Sequence, residues 1–208
     1  MKYLLIIGIL LALTNCSVSQ DILEDNKTFK QTFSKTEIQD LQLLFDFFNE
    51  SICSDRETQD LTNCYQDFFT RMEKSEETGE IQLNISFDEQ QKIYDEFSDS
   101  TFNEIWTLCC WRVFRENPMD TFRMVYINLE GKYFEFLKKT GDNDKVINQY
   151  FQTLQTAGDL TPSLIAGLLV NHKYYNIEDI RVKLIVAIHY LTLNDQFNRL
   201  EKINKNSS

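Results

Sequence analysis

Punctuation is scarce in this chain. Six glycines and two prolines are spread over 208 residues, too few to turn the backbone as often as a many-stranded sheet demands. Between those breaks apolar residues recur at spacings of three and four, the signature of one helix face. Ser34-Lys35-Thr36-Glu37 has the pattern of a capping box, in which a hydroxyl and a carboxylate satisfy the first free amides of a helix. It leads into Ile38, Leu41, Phe45, Phe48 and Ile52. A second helix is expected from about Thr58 to Lys74, with Leu61, Cys64, Tyr65, Phe68 and Met72 on one side.

Residues 75–85 form the clearest break, a point where two lobes could part, and Ile81, Leu83 and Ile85 alternate there as in a short strand. A second box, Ser86-Phe87-Asp88-Glu89, opens a helix carrying Ile93, Tyr94 and Phe97. Asp99-Ser100 caps the next, with Phe102, Ile105, Trp106, Cys109 and Val113, which must stop before Pro118. Asp120 starts another through Phe122, Val125, Leu129, Tyr133, Phe136 and Leu137, ending in Lys138, Lys139 and Gly141. A helix with Val146, Ile147, Tyr150, Phe151 and Leu154 ends at Gly158, and Thr161-Pro162 is an N-cap followed by proline. Asn176 opens the last helix, whose expected buried stripe is Ile180, Leu184, Ala187, Ile188 and Leu191, with a polar, fraying tail from Asn194. The reading is therefore all-α: about eight antiparallel helices, as an irregular bundle or a short stack. Asp179-Ile180-Arg181 with Ala187 resembles the second helix of a HEAT repeat, which implies the stack, although no fixed period of ~40 residues recurs.

The first sixteen residues, MKYLLIIGILLALTNC, set the address. Lys2 is the only charge, and the apolar core is about the length of an export signal. It falls short of the ~20 residues a membrane-spanning helix needs. Leu13-Thr14-Asn15-Cys16 resembles the lipobox of bacterial lipoproteins. That resemblance implies cleavage before Cys16, diacylglycerol on its thiol, acylation of its new amine, and sorting to the outer membrane, since Ser17 is not Asp. The competing site Ser17-Val18-Ser19 would release a soluble protein at Gln20. The expected organisation is a signal over residues 1–15, an acidic tether over 16–33, a helical domain over 34–200 and a polar tail over 201–208. Fully extended, such a tether would reach ~60 Å.

An exported chain can form disulfides. Cys53 and Cys64 flank a polar link between two helices, so they are the favoured pair. Cys109 and Cys110 are adjacent on an expected helix, where successive side chains diverge, and are read as buried thiols. No zinc-type spacing of Cys and His occurs.

The net charge of −11 is uneven. Residues 20–100 carry 20 acids and 7 bases, whereas residues 101–208 carry 12 and 13. Clustered Lys and Arg, which nucleic acid requires, are missing from the first half, so no nucleic-acid partner is expected. The acids Asp40, Asp46, Glu50, Asp55, Glu57, Asp60, Asp67, Glu73, Glu76 and Glu77 on the links and outer faces of residues 34–80 would suit a basic protein partner.

Catalytic motifs are missing: there is no Gly-rich phosphate loop, H-E-x-x-H, G-x-S-x-G or EF-hand loop. His172 and His189 are the candidate bases. His189 follows Ile188 and is expected as a half-buried, hydrogen-bonded ring at the border of the core. His172 lies at a helix end beside Tyr174 and Tyr175, and these four residues are the candidate lining of a ligand groove. No cofactor is expected. Together these features suggest a lipid-anchored envelope protein that acts as a binding or scaffold module. The alternatives are a small hydrolase using carboxylates with His172 or His189, and an acidic inhibitor or immunity-type protein for a basic partner.

Overall fold

The computed structural model describes residues 22–53, 60–78, 83–113 and 120–205. Among them it is essentially all-helical, an irregular bundle of nine helices and one two-stranded hairpin. In chain order these are α1 (Lys27–Thr32), α2 (Lys35–Ile52), α3 (Leu61–Thr78), α4 (Phe87–Glu96), α5 (Asp99–Ile105), β1 (Trp106–Val113) and β2 (Asp120–Ile127). Then follow α6 (Lys132–Gly141), α7 (Lys145–Ala157), α8 (Pro162–Val170), a 3-10 turn at His172–Tyr174, and α9 (Ile180–Lys205).

Some of the caps read from sequence form, whereas α5 is capped by Ser98 instead of Asp99-Ser100 and Asp120 lies on a strand. The Ser34 hydroxyl accepts the Glu37 N–H at 3.3 Å while the Glu37 carboxylate accepts the Ser34 N–H at 2.6 Å. Lys132 on α6 donates to both Glu37 oxygens at 2.6 and 2.8 Å, tying α6 to the start of α2. Burial alone would raise the pKa of Glu37, but these hydrogen bonds outweigh it and hold the carboxyl below its ordinary range. Thr161 caps α8 with Pro162 behind it, and Gly158 ends α7 in the left-handed region at φ 80°.

The bundle is organised around α9. Residues 182–195 are buried without interruption, so this helix is covered on all sides and not along one stripe. The expected fraying from Asn194 does not occur. Asn194 donates to Gln90 at 2.8 Å and to the Ile85 carbonyl at 3.2 Å, and the buried Asp195 pairs with Arg199 and accepts from Gln91. Partnered in this way, the two polar side chains continue the core instead of ending it. A helix enclosed like this is the axis of a bundle, which removes the stack reading. The Asp179-Ile180-Arg181 run acts locally: Asp179 accepts the Arg181 backbone and guanidinium N–H groups at the start of α9.

Two expected long helices are replaced. The segment from Asp99 is helical only to Ile105, and the one from Asp120 becomes helical only at Lys132; between them lies an antiparallel hairpin pairing Trp106 with Ile127 and Val113 with Asp120. The reason lies in side-chain types. WTLCCWRV and DTFRMVYI are dominated by β-branched, aromatic and Cys residues, which lose rotamer freedom in a helix and fit a pleated surface. The hairpin is anchored where the Trp106 indole donates to the Thr192 hydroxyl of α9 at 2.8 Å, and Val125 and Ile127 are buried. Consequently Cys109, expected as a buried thiol, is exposed and free on β1, and the side chain of Cys110 falls outside the described residues.

The chain folds earlier than the acidic tether allowed. Leu23 is fully buried and its N–H donates to Gln42, while Phe29 and Phe33 pack on Phe136 at ring distances of 4.8 and 5.8 Å. Phe29 and Phe33 are four apart, one helical face, which is why α1 docks. The remainder of that tether, with Cys16, lies outside the described residues. Residues 79–82 of the expected lobe break also lie outside them. On either side of that gap the chain shares one hydrophobic core, so no division into lobes is seen there. Leu83 and Ile85 are buried without forming a ladder, and Asn84 between them sits at φ 53°, a conformation Asn tolerates.

Cys53 and Cys64 are joined, with Cα atoms 5.0 Å apart and a sequence separation of 11. Closing a loop of that size removes unfolded-state freedom worth about 3 kcal/mol. The bond staples the end of α2 to the start of α3.

Candidate functional site

An open groove lies between the C-terminal part of α2 and α4, in the acidic half of the chain. Its volume is ≈ 450 Å³, within the range of sites that hold small ligands or peptide side chains. Phe47 and Ile93, partly buried against the core, give it an apolar floor; among the described residues Glu50, Glu89 and Glu96 line it with Lys92 as the single cation. The local reasons are plain. Glu89, Lys92, Ile93 and Glu96 recur at three and four along α4, so they share a face. Ser86 accepts the Glu89 N–H at 3.3 Å, yet the reciprocal half of that capping box does not form, and the Glu89 carboxylate lines the groove instead. Carboxylates around an apolar floor favour a cationic segment that also carries an apolar side chain.

Some acids assigned to the outer face of residues 34–80 are spent internally. Asp40 is buried, and one of its carboxylate oxygens accepts from the Ser98 N–H at 3.1 Å, the Ser98 hydroxyl at 2.7 Å and the Thr101 hydroxyl at 2.5 Å. It thus ties α2 to the N-terminus of α5. Asp46 accepts from Gln42 at 2.9 Å. Glu50, Asp60 and Asp67 are exposed, although Glu50 and Asp67 also interact within the chain, and Asp55, Glu57 and the side chains of Glu76 and Glu77 lie outside the described residues.

The two histidines are not brought together as a pair of bases. His189 is fully buried; its Nδ1 is 3.0 Å from the Tyr150 hydroxyl, and its Nε2 has no partner among the described residues. Burial pushes its pKa down to about 3, so the ring stays neutral over the physiological range. That is deeper than the half-buried border position expected. His172 stacks on Phe69 of α3 at 5.0 Å, and its Nδ1 lies 2.7 Å from the Leu169 carbonyl and 3.4 Å from the Glu73 carboxylate. It fastens the end of α8 to α3. Tyr174 projects into solvent, whereas Tyr175 is buried and lines a second, smaller groove between α7 and α8 with Tyr150, behind which His189 sits. Of the four residues grouped as a ligand groove, Tyr175 lines one directly and His189 reaches it through Tyr150.

Among the described residues there is no cluster of three or more His, Cys, Asp or Glu able to hold a metal ion, and no helix long and apolar enough to cross a membrane. No family model matches the chain, and neither a curated protein nor a solved structure is similar to it.

The α2–α4 groove was half-legible in sequence. The acidic excess was visible, and so was the spacing on α4. The approach of Phe47 and Glu50 was not, because it depends on how α2 and α4, with α3 between them in sequence, are set against α9.

Proposed function

We propose that this is an exported binding module, held at an envelope membrane by lipid on Cys16, which captures a basic segment of a partner protein in the groove between α2 and α4. The observation that carries the reading is the groove itself: three glutamates and one lysine around Phe47 and Ile93. The Cys53–Cys64 bond supports export, since such bonds persist in oxidising compartments. The depth of His189 weighs against the hydrolase alternative. A ring enclosed by Tyr150 and Tyr190, with its proton affinity suppressed, is poorly placed to serve a substrate.

Affinity capture from intact envelopes tests this, comparing the wild-type chain with the Glu50→Gln/Glu89→Gln/Glu96→Gln variant. The expected outcome is a basic partner retained by the first and lost from the second. Retention of the same partner by both would overturn the groove assignment. The tether is tested separately by the mass of the N-terminal peptide: a lipid-modified Cys16 is expected, and an unmodified terminus at Gln20 would contradict it.

A further inference from the structure

The β1–β2 hairpin has two edges, and they are not alike. The Asn128 N–H donates to the Ile105 carbonyl at 2.9 Å, so these two residues form a hydrogen-bonded pair at the foot of the ladder. Such pairs alternate with non-bonded ones along an antiparallel ladder. Thr107, Cys109, Trp111 and Val113 therefore bond to β2, while Trp106, Leu108, Cys110 and Arg112 turn their N–H and C=O groups away from it. On β2 the same alternation turns Arg123 and Val125 outward, and α9 takes both. Gln196 donates to the Val125 carbonyl at 2.8 Å and Arg199 to the Arg123 carbonyl at 3.4 Å.

The β1 edge is open. The Trp106 N–H is spent on the Phe102 carbonyl at the end of α5, but among the described residues nothing bonds to the outward backbone groups of Leu108, Cys110 or Arg112. Thr107, Leu108 and Cys109 are all exposed. An unpaired row of donors and acceptors on an extended strand is a template for another strand, and natural edges are guarded by shortness, lysine or proline. β1 runs for eight residues, WTLCCWRV, without lysine or proline.

Symmetry identifies the occupant. Two copies of β1 can pair antiparallel about a twofold axis normal to the sheet, which makes one continuous sheet with an isologous contact. Outward residues must then face outward residues. All four are matched at once only when Leu108 faces Cys110 of the second copy and Trp106 faces its Arg112. That register is centred on Cys109, which faces its own copy across the axis. Because Cys109 bonds inward to β2, the facing pair is of the non-hydrogen-bonded kind, with Cα atoms ~4.5 Å apart, inside the range a disulfide spans. Cys109 is also an exposed, free thiol. A foreign strand could pair in any register, whereas a second copy brings a matching thiol to that point.

We propose that β1 pairs with β1 of a second copy of this chain, giving a four-stranded sheet in the order β2-β1-β1-β2, locked by a Cys109–Cys109 disulfide. One pair of short strands falls below the ~1,200 Å² of a standard interface, so the covalent bond is what holds the dimer. In forming it the two thiols lose two protons and two electrons, and a small organic disulfide accepts both and leaves as two thiols. The chain already carries one such bond, Cys53–Cys64, so the same oxidising surroundings serve both. The pairing holds or fails independently of the α2–α4 groove.

The test incubates the folded protein, its Cys53–Cys64 bond intact, in a buffer of reduced and oxidised glutathione, followed by non-reducing gels and mapping of the linked peptides. A dimer dissolved by reductant and joined Cys109 to Cys109 is expected, and Cys109→Ser should stay monomeric. Leu108→Pro separates strand pairing from mere reactivity of the thiol. Proline is tolerated where an edge N–H faces solvent, so the variant should fold with its thiol in place, yet the missing donor should cut the yield of dimer at least about tenfold. In the wild-type dimer the amides of Leu108 and Cys110 should exchange with deuterium at least about tenfold more slowly than in the monomer. A chain that stays monomeric, a bond through Cys110, or undiminished dimer from folded Leu108→Pro would each overturn the proposal. Should Leu108→Pro fail to fold, exchange of the two amides in the wild-type dimer at the monomer's rate does the same.

Discussion

His189 shows how one side chain couples the core to pH. Its ring is neutral in the folded protein down to about pH 3, whereas an exposed histidine takes up a proton near pH 6.5. Between those values the unfolded chain binds a proton that the folded one refuses, so stability is full above about pH 6.5 and falls as the pH drops toward 3. The slope is about 1.4 kcal/mol per pH unit, or roughly 2 kcal/mol lost by pH 5. Glu37 and Asp179, whose carboxyls are held low by Lys132 and Arg181 against the opposing effect of burial, add losses in the same direction at more acid pH. In His189→Phe the loss between pH 6.5 and 5 should shrink by about that 2 kcal/mol, even though the variant is less stable at neutral pH for want of the Tyr150 hydrogen bond. Denaturant unfolding at both pH values measures it. An unchanged acid limb would mean that another group carries the pH dependence.

At the scale of elements, the β1–β2 hairpin and the turn after it define where α6 begins. Asn128 donates its backbone N–H to the Ile105 carbonyl at 2.9 Å, and Lys132 its own to Glu104 at 2.8 Å, so the chain folds back over α5. Gly131 lies at the closest approach, where a Cβ would stand 2.4 Å from the Glu104 carbonyl oxygen. Gly131→Ala should therefore destabilise by about 1–3 kcal/mol, the more so because Gly131 is the N-cap of α6, where glycine is preferred over alanine, and the thermal transition checks it. Gly167→Ala, inside α8, is its counterpart with the opposite sign, since a Cβ there would meet nothing within 4 Å. The helices that sequence reveals are those whose caps and period agree, such as α2 with its Ser34 box and α8 with Thr161-Pro162. The hairpin escapes because Phe102, Ile105, Trp106, Cys109 and Val113 satisfy a helical spacing while their residue types favour a strand, and packing on Thr192 of α9 decides between the two. Periodicity was the wrong guide there, and β-branched and aromatic enrichment on both sides of Asn117-Pro118 was the neglected one. The burial of α9 on every face was hidden for another reason. Gln90, Asn194 and Asp195 look like surface residues until their hydrogen bonds are seen, Asn194 to Gln90 and Gln91 to Asp195.

Across the whole molecule, charge and its absence fall on different surfaces. Three of the acids of residues 20–100, Glu50, Glu89 and Glu96, line the α2–α4 groove, while residues 146–172 carry a single carboxyl along α7 and α8. A cationic partner segment would be steered toward the first surface over a screening length of ~10 Å at about 0.1 M salt, contracting to ~3 Å at about 1 M. The central claim is that the α2–α4 groove captures a basic segment, and the most direct measurement is a binding titration across that range of salt. The ligand is a labelled peptide of alternating Lys and Leu, with its Glu-for-Lys counterpart as control. The account predicts saturable binding of the basic peptide alone, weakened at least about tenfold by the higher salt and by Glu50→Gln/Glu89→Gln/Glu96→Gln at the lower. Binding indifferent to salt and to those three substitutions, or equal binding of the acidic peptide, would contradict it.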